Sequence, residues 1–165
     1  MLYILGGLPG VGKTAIAKGL ARAIGAVHLR IDSIEQALRN SSVTITGPEG
    51  YVVAYAVAED NLRLGRAVIA DSVNPIEVTR AAWRDVAQRA GVTFVEIEIV
   101  CSDRSEHRRR VESRVADIAG HQLPTWQQVC DREYEPWQIG IVIDTAGRDI
   151  QASVTELQIR LRGLE

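Results

Sequence analysis

The chain has 165 residues, of which 46% are apolar and 24% charged, with a formal net charge of -2. That composition fits one soluble globular domain with an ordinary core, and it gives no electrostatic basis for a nucleic-acid partner or an anionic membrane surface. Two cysteines, Cys101 and Cys130, far apart and without CxxC spacing, exclude a disulfide framework and a structural zinc site.

In chain order, apolar runs alternate with helical patterns. Leu2 to Leu5 reads as a short buried strand running into a glycine-rich turn, so no signal peptide is expected at Met1 to Leu5, and no apolar run nears the ~18 residues that span a bilayer. The expected location is therefore cytoplasmic, with reduced thiols. Gly12 to Ile24 reads as a helix, with Ile16, Leu20 and Ile24 on one face and Gly25 at its C-terminal stop. Val27 to Ile31 is a second strand. Ser33 to Arg39 is a helix whose Ser33 and Gln36 have capping-box spacing. Residues 40–50 form a polar loop, and a helix from about Pro48 to Leu64 follows.

Arg66 to Ala70 is the third strand. Asn74-Pro75, a cap followed by proline, opens a helix ending at Ala90 before Gly91. Val92 to Val100 is the fourth strand, where Glu96 and Glu98 alternate with apolar residues, so that one face is expected to be partly exposed. Asp103 and Glu106 precede an arginine-rich helix, and a break at Ile118 to Pro124 leads to a short helix begun by Thr125 and Gln128. Ile139 to Ile143 is the fifth strand and Asp149 to Leu161 the closing helix. Strands alternating with helices predict an α/β protein: a single three-layer α/β/α domain over residues 1–165, its parallel sheet covered on both faces and its ligands at the carboxyl ends of the strands.

Gly7-Leu8-Pro9-Gly10-Val11-Gly12-Lys13-Thr14 matches GxxxxGK followed by serine or threonine in full, between a strand and an amphipathic helix. Its glycines let the backbone turn around a phosphate. The exposed N–H groups and the helix N-terminus then face the anion. Lys13, conspicuous because only it and Lys18 are lysines, neutralises the β- and γ-phosphates, and Thr14 offers a hydroxyl to Mg²⁺. The expected nucleotide-binding set runs from Gly7 through Ala15.

A phosphate loop alone does not separate kinases from GTPase switches, AAA+ motors or transporters. There is no NKxD guanine signature, no sensor region accompanies Arg148, and the chain is short for an AAA+ module with its helical lid. Three features favour a kinase. Asp32 follows the second strand near the γ-phosphate end of the loop, where a carboxylate can accept a proton from an acceptor hydroxyl or orient it; the competing reading is that it caps the next helix. Asp71 ends the third strand, where a carboxylate can hold Mg²⁺, usually through water; Asn74 beside it reads as a cap. Arg108, Arg109, Arg110 and Arg114 are expected on one helix before a break, as in a mobile lid over residues 108–130. The competing reading there is a solvated face paired with Glu106 and Glu112.

With these residues in hand, the chain resembles the small P-loop kinases grouped with zeta toxin, gluconate kinase and chloramphenicol phosphotransferase. The match covers nearly the whole length in order, and the segment Asp32 to Leu38 looks most like the chloramphenicol phosphotransferase version. The resemblance implies strand order 2-3-1-4-5, ATP and Mg²⁺ as cofactors, Asp32 as the acceptor's base, and adenine near Gly147, Arg148 and a lid arginine. Glu35 stands where polynucleotide kinases have arginine, which argues against a nucleic-acid acceptor. The expected partner is a small molecule: antibiotic, sugar, nucleoside or cofactor precursor. Tyr51 and Tyr55 are candidates to stack on it, with core packing the alternative, while His28, His107 and His121 show no ligand spacing and receive no role. Lys13, Asp32, Arg110 and Arg114 form the expected catalytic set, with Thr14 and Asp71 on the metal. The alternatives are a non-kinase ATP-dependent switch or ATPase, in which Asp32 only caps its helix, and a zeta-like kinase acting on a nucleotide sugar.

Overall fold

A computed structural model describes residues 1–138 and 140–163. Strands β1 (Leu2–Gly6), β2 (Val27–Arg30), β3 (Val68–Asp71), β4 (Phe94–Val100) and β5 (Ile141–Asp144) form one parallel sheet, as the alternation of strands and helices predicts, in the order β2-β3-β1-β4-β5 that the family resemblance implies. β1 lies at its centre and is buried on both faces, which is why it reads as an unbroken apolar run. Tyr3 and Leu5 pack with helices α1 (Lys13–Ile24) and α7 (Ile150–Arg162), through Ile16, Leu20, Val154 and Leu157. Leu2 and Ile4 face the opposite core, built with α3 (Glu49–Arg63) and α4 (Glu77–Ala90) through Ala54, Ala58, Leu62 and Trp83. Register sets Leu5 and Arg30 level with Asp71, so β1, β2 and β3 finish side by side at one edge of the sheet. No helix among the described residues is long and apolar enough to cross a membrane.

Tertiary contacts move several expected boundaries. β2 stops at Arg30, and α2 (Ile31–Asn40) follows without a gap because the Ile31 side chain is buried in the α3–α4 core. Asp32 therefore sits in the first turn of α2, and neither it nor Ser33 caps that helix. Asn74 does not cap α4, which begins at Glu77. Its φ is 47°, and its buried amide donates to the Leu5 carbonyl at 2.8 Å, tying the β3–α4 loop to β1. The fourth strand begins at Phe94, and its acidic face is partly exposed as expected, with Phe94 exposed, Glu98 half-buried and Glu96 buried. Glu96 is 5% exposed and paired with Arg84, and the Tyr134 hydroxyl donates to Glu98 at 3.0 Å. The segment after α5 (Arg104–Ser113) and α6 (Trp126–Cys130) closes that side of the sheet: a Cβ on Gly6 would lie 2.1 Å from the Trp137 ring. The start expected for the fifth strand, Ile139, lies outside the described residues; the strand they contain is Ile141–Asp144.

Arg80 fastens this cover. It is 3% exposed and donates to the carbonyls of Asn74, Pro75, Glu135 and Pro136, with its guanidinium 4.5 Å from the Trp137 ring centroid. Among the described residues no carboxylate pairs with it; four oriented carbonyl dipoles and an aromatic face carry the charge. We expect Arg80→Met to lower unfolding free energy by about 3 kcal/mol, since several charge-assisted bonds are lost together. Arg80→Lys should recover little of it, because one ammonium cannot span four carbonyls. Urea midpoints at constant m-value measure both.

Candidate functional site

The turn from β1 to α1 is built by backbone positions that side chains would forbid. Gly7 has φ 142°, and a Cβ there would lie 2.3 Å from the Ile99 carbonyl oxygen; Gly10 has φ 90°, and a Cβ there would lie 2.4 Å from Val111. Gly12 is the N-cap of α1 and supplies no side-chain cap, which suits the helix N-terminus to an external anion. The loop is braced from three sides. Gly7 N–H donates to Val73 O at 3.1 Å. His107 Nε2 lies 2.8 Å from Pro9 O, and the Thr145 hydroxyl lies 2.8 Å from Val11 O.

Asp71 sits behind the loop with its side chain 1% exposed. Lys13 Nζ stands 3.6 Å from its Oδ1, and His28 Nε2 stands 3.0 Å from its Oδ2. Burial opposes ionisation, but the Lys13 charge, the His28 hydrogen bond and the Thr14 hydroxyl together outweigh it and hold the carboxyl below the usual aspartate range. Oδ1 is buried without a hydrogen-bond partner. An ionised carboxylate with one oxygen free of hydrogen bonds, together with the hydroxyl of Thr14, is a suitable donor set for a hard cation such as Mg²⁺.

A cavity of about 1120 Å³ opens in front of the loop. Lys13 and Thr14 line it, as do Leu8, Pro9, Gly10, Gly12 and Ala15, while Gly7 and Val11 are not among its lining residues. Asp32 lines the same cavity with its side chain 45% exposed, Arg30 Nη2 at 3.6 Å and His121 Nε2 at 4.0 Å. Tyr51 lines it too, whereas Tyr55 packs edge-on against Trp83, with centroids 4.6 Å apart, and belongs to the core.

The arginines expected to act together divide. Arg108 is exposed and paired with Glu112. Arg110 reaches the cavity but is engaged, donating to Thr145 Oγ1 and Thr145 O at 2.8 Å each and to Glu106 at 2.6 Å. Arg114 is not in the helix; it is the extended C-cap residue of α5. It lines the cavity with its Nε buried and unpartnered. Burial pushes its pKa down, against the pull of the Asp32 charge. Gly147 donates its N–H to Glu106 at 2.8 Å, and Arg148 pairs with Glu156; neither is among the lining residues.

Sequence reasoning missed His28, His107, Arg30 and Asp117. Asp117, between α5 and α6, accepts from Lys18 at 2.9 Å and from Arg30 at 2.8 and 2.9 Å, and those hydrogen bonds hold its carboxyl far below the aspartate range. It thereby fastens the segment after α5 to α1 and β2. The pairings span 87 and 99 residues, so no local spacing announces them; the one available signal was the scarcity of lysine.

Strand order, switch-edge cavity and glycine-rich loop together define a P-loop nucleotide-binding domain. A family model described as an AAA domain matches residues 2–132, and the chain belongs to that family. An uncharacterized protein of Mycobacterium tuberculosis is 30% identical over 167 residues, covering 88% of this chain; the chain spans 32% of that relative's length. Among solved structures, a protein proposed to be a kinase from Chloroflexus aurantiacus has a TM-score of 0.76 at 21% identity, covering 98% of this chain and 96% of that one. The Mycobacterium tuberculosis APS kinase CysC, in complex with AMPPNP and APS, has a TM-score of 0.64 at 18% identity, with the same coverage of 98% and 96%. These likenesses establish a shared fold.

Because the folded-state pKa of Asp71 is depressed, its ionisation stabilises the fold fully above the ordinary aspartate value of ~3.9, and that contribution is lost as pH falls through the lower folded value. Asp71→Asn should therefore be less stable than wild type at pH 6, and the gap should narrow below about pH 4. Urea unfolding between those limits measures it.

Proposed function

We propose that this domain is an ATP-dependent phosphotransferase that moves the γ-phosphoryl group to a hydroxyl of a small-molecule acceptor. The carrying observation is that one cavity is lined both by Lys13 and Thr14 of the phosphate loop and by the carboxylate of Asp32. The first pair serves any use of the nucleotide; a carboxylate in the same cavity adds a group that can hold an acceptor hydroxyl and accept its proton. The kinases among the similar structures, one of them solved with AMPPNP and APS, support the reading.

In this reading the loop amides and Lys13 bind the β- and γ-phosphates. Thr14 and Asp71 would hold Mg²⁺, which supplies Lewis-acid neutralisation of phosphate charge. Asp32 orients the acceptor O–H and takes its proton as the oxygen attacks phosphorus in line with the leaving ADP oxygen. Arg114, whose Nε is buried without a hydrogen-bond partner among the described residues, offsets charge on the transferring group. Arg110 joins it by exchanging its Thr145 contacts for phosphate, and Gly147 with Arg148 flanks the adenine. Tyr51 forms part of the acceptor wall. Most of the rate gain comes from positioning and charge neutralisation.

Turnover of ATP with a panel of hydroxyl-bearing acceptors tests this. One or more acceptors should stimulate wild-type turnover. Asp32→Ala should lose that stimulation by about 10²- to 10⁴-fold while keeping its affinity for ATP. Turnover indifferent to every acceptor and unchanged by Asp32→Ala would instead identify an ATPase.

A further inference from the structure

The partly buried imidazole of His28 belongs to no expected motif, yet its Nε2 lies closer to the Asp71 carboxylate than the Lys13 ammonium does, at 3.0 Å against 3.6 Å. We propose that His28 is a positioning residue for the nucleotide's metal: it holds Asp71 Oδ2 so that Oδ1 is left for Thr14 and Mg²⁺. The inference rests on the reading of residues 7–14 as a phosphate loop, and it adds a residue that the loop motif does not contain.

Register carries the geometry. In the parallel β2–β3 pair, His28 is level with Ile69 and Arg30 is level with Asp71. His28 therefore reaches forward along the strand direction to a carboxylate two positions ahead of its own level. The imidazole side chain is 19% exposed and that of Asp71 1%, so the bond is shielded from competing water.

The division of the two oxygens follows. Oδ2 has the imidazole, whereas Oδ1 is buried without a hydrogen-bond partner. Lys13, at 3.6 Å from Oδ1, exerts an attraction but is too distant for a hydrogen bond. A carboxylate freed from His28 would turn about its last side-chain torsion and close on the Lys13 ammonium. That collapse would harm two functions together, since Oδ1 would be lost to the metal and Lys13 would be drawn away from phosphate. His28 thus keeps the lysine and the aspartate near each other but apart. Hydrogen-bonding partners behind a ligand commonly set metal affinity in this way.

The test is the Mg²⁺ dependence of ATP binding by the whole chain, measured calorimetrically without acceptor, so that no turnover is needed. His28→Ala should raise the Mg²⁺ concentration for half-maximal ATP binding by about 10- to 100-fold. His28→Gln, whose amide nitrogen can stand in for Nε2, should return it close to wild type. His28→Leu fills the ring's volume without a donor; it should behave as alanine does and keeps the test available if the alanine variant unfolds. A purely structural histidine would lower melting temperature in the alanine and leucine variants and leave their Mg²⁺ dependence unchanged, which overturns the proposal. Lys13→Ala run alongside separates the two levels. If it too leaves ATP binding intact, the phosphate-loop reading itself fails; if it weakens binding while the histidine variants do not alter the Mg²⁺ requirement, only the role of His28 is lost.

Discussion

Everything in the site depends on the close approach of the Gly7 backbone to the Ile99 carbonyl at the top of the sheet. No side chain fits there, and no residue with a Cβ adopts that φ without strain. The chain leaving β1 is thereby turned sharply enough for α1 to start at Lys13, with its first N–H groups and the lysine facing one cavity. The neighbours of the loop then hold it in shape: Thr145 from the end of β5, His107 from α5 and Val73 from the end of β3. A preformed cradle matters because ordering a flexible loop on binding would consume much of the phosphate's interaction energy.

Around the cradle, charge is arranged so that few groups are free. Asp71 is shared between His28 and Lys13, and Asp117 between Arg30 and Lys18. Arg110 is held by Glu106 and Thr145. Arg114 differs, being half-buried and close enough to Asp32 to feel its charge, with no hydrogen bond to its Nε. A desolvated guanidinium in that state has the most to gain from an anion entering the cavity. The segment after α5 is consequently more than a loose cover, since Asp117 binds it to the same helix that begins with Lys13.

What was legible in the sequence was local. The glycine–lysine motif, the central apolar strand and the aspartate closing β3 announce themselves through spacing and run length, and together they gave the phosphate end of the site; the strand order came from the resemblance to the small P-loop kinases. What was misjudged depended on distant partners. Asn74 has the composition of a cap, but a carbonyl 69 residues earlier in the chain claims its side chain. On the partly exposed face of β4, Glu96 itself is enclosed by Arg84 of α4 and the cover carrying Trp137. Arg114 has helical spacing from Arg110, yet the helix ends one residue too soon. His28 gave no signal, because its meaning lies wholly in the neighbouring strand.

The most direct measurement is equilibrium binding of ATP to the wild-type chain and to Lys13→Ala, each with and without Mg²⁺. Magnesium-dependent binding that weakens about 10- to 100-fold when the ammonium is removed is the expected result. Failure of the wild-type protein to bind any nucleoside triphosphate, or equal binding by Lys13→Ala, would contradict the assignment of residues 7–14 as a phosphate cradle.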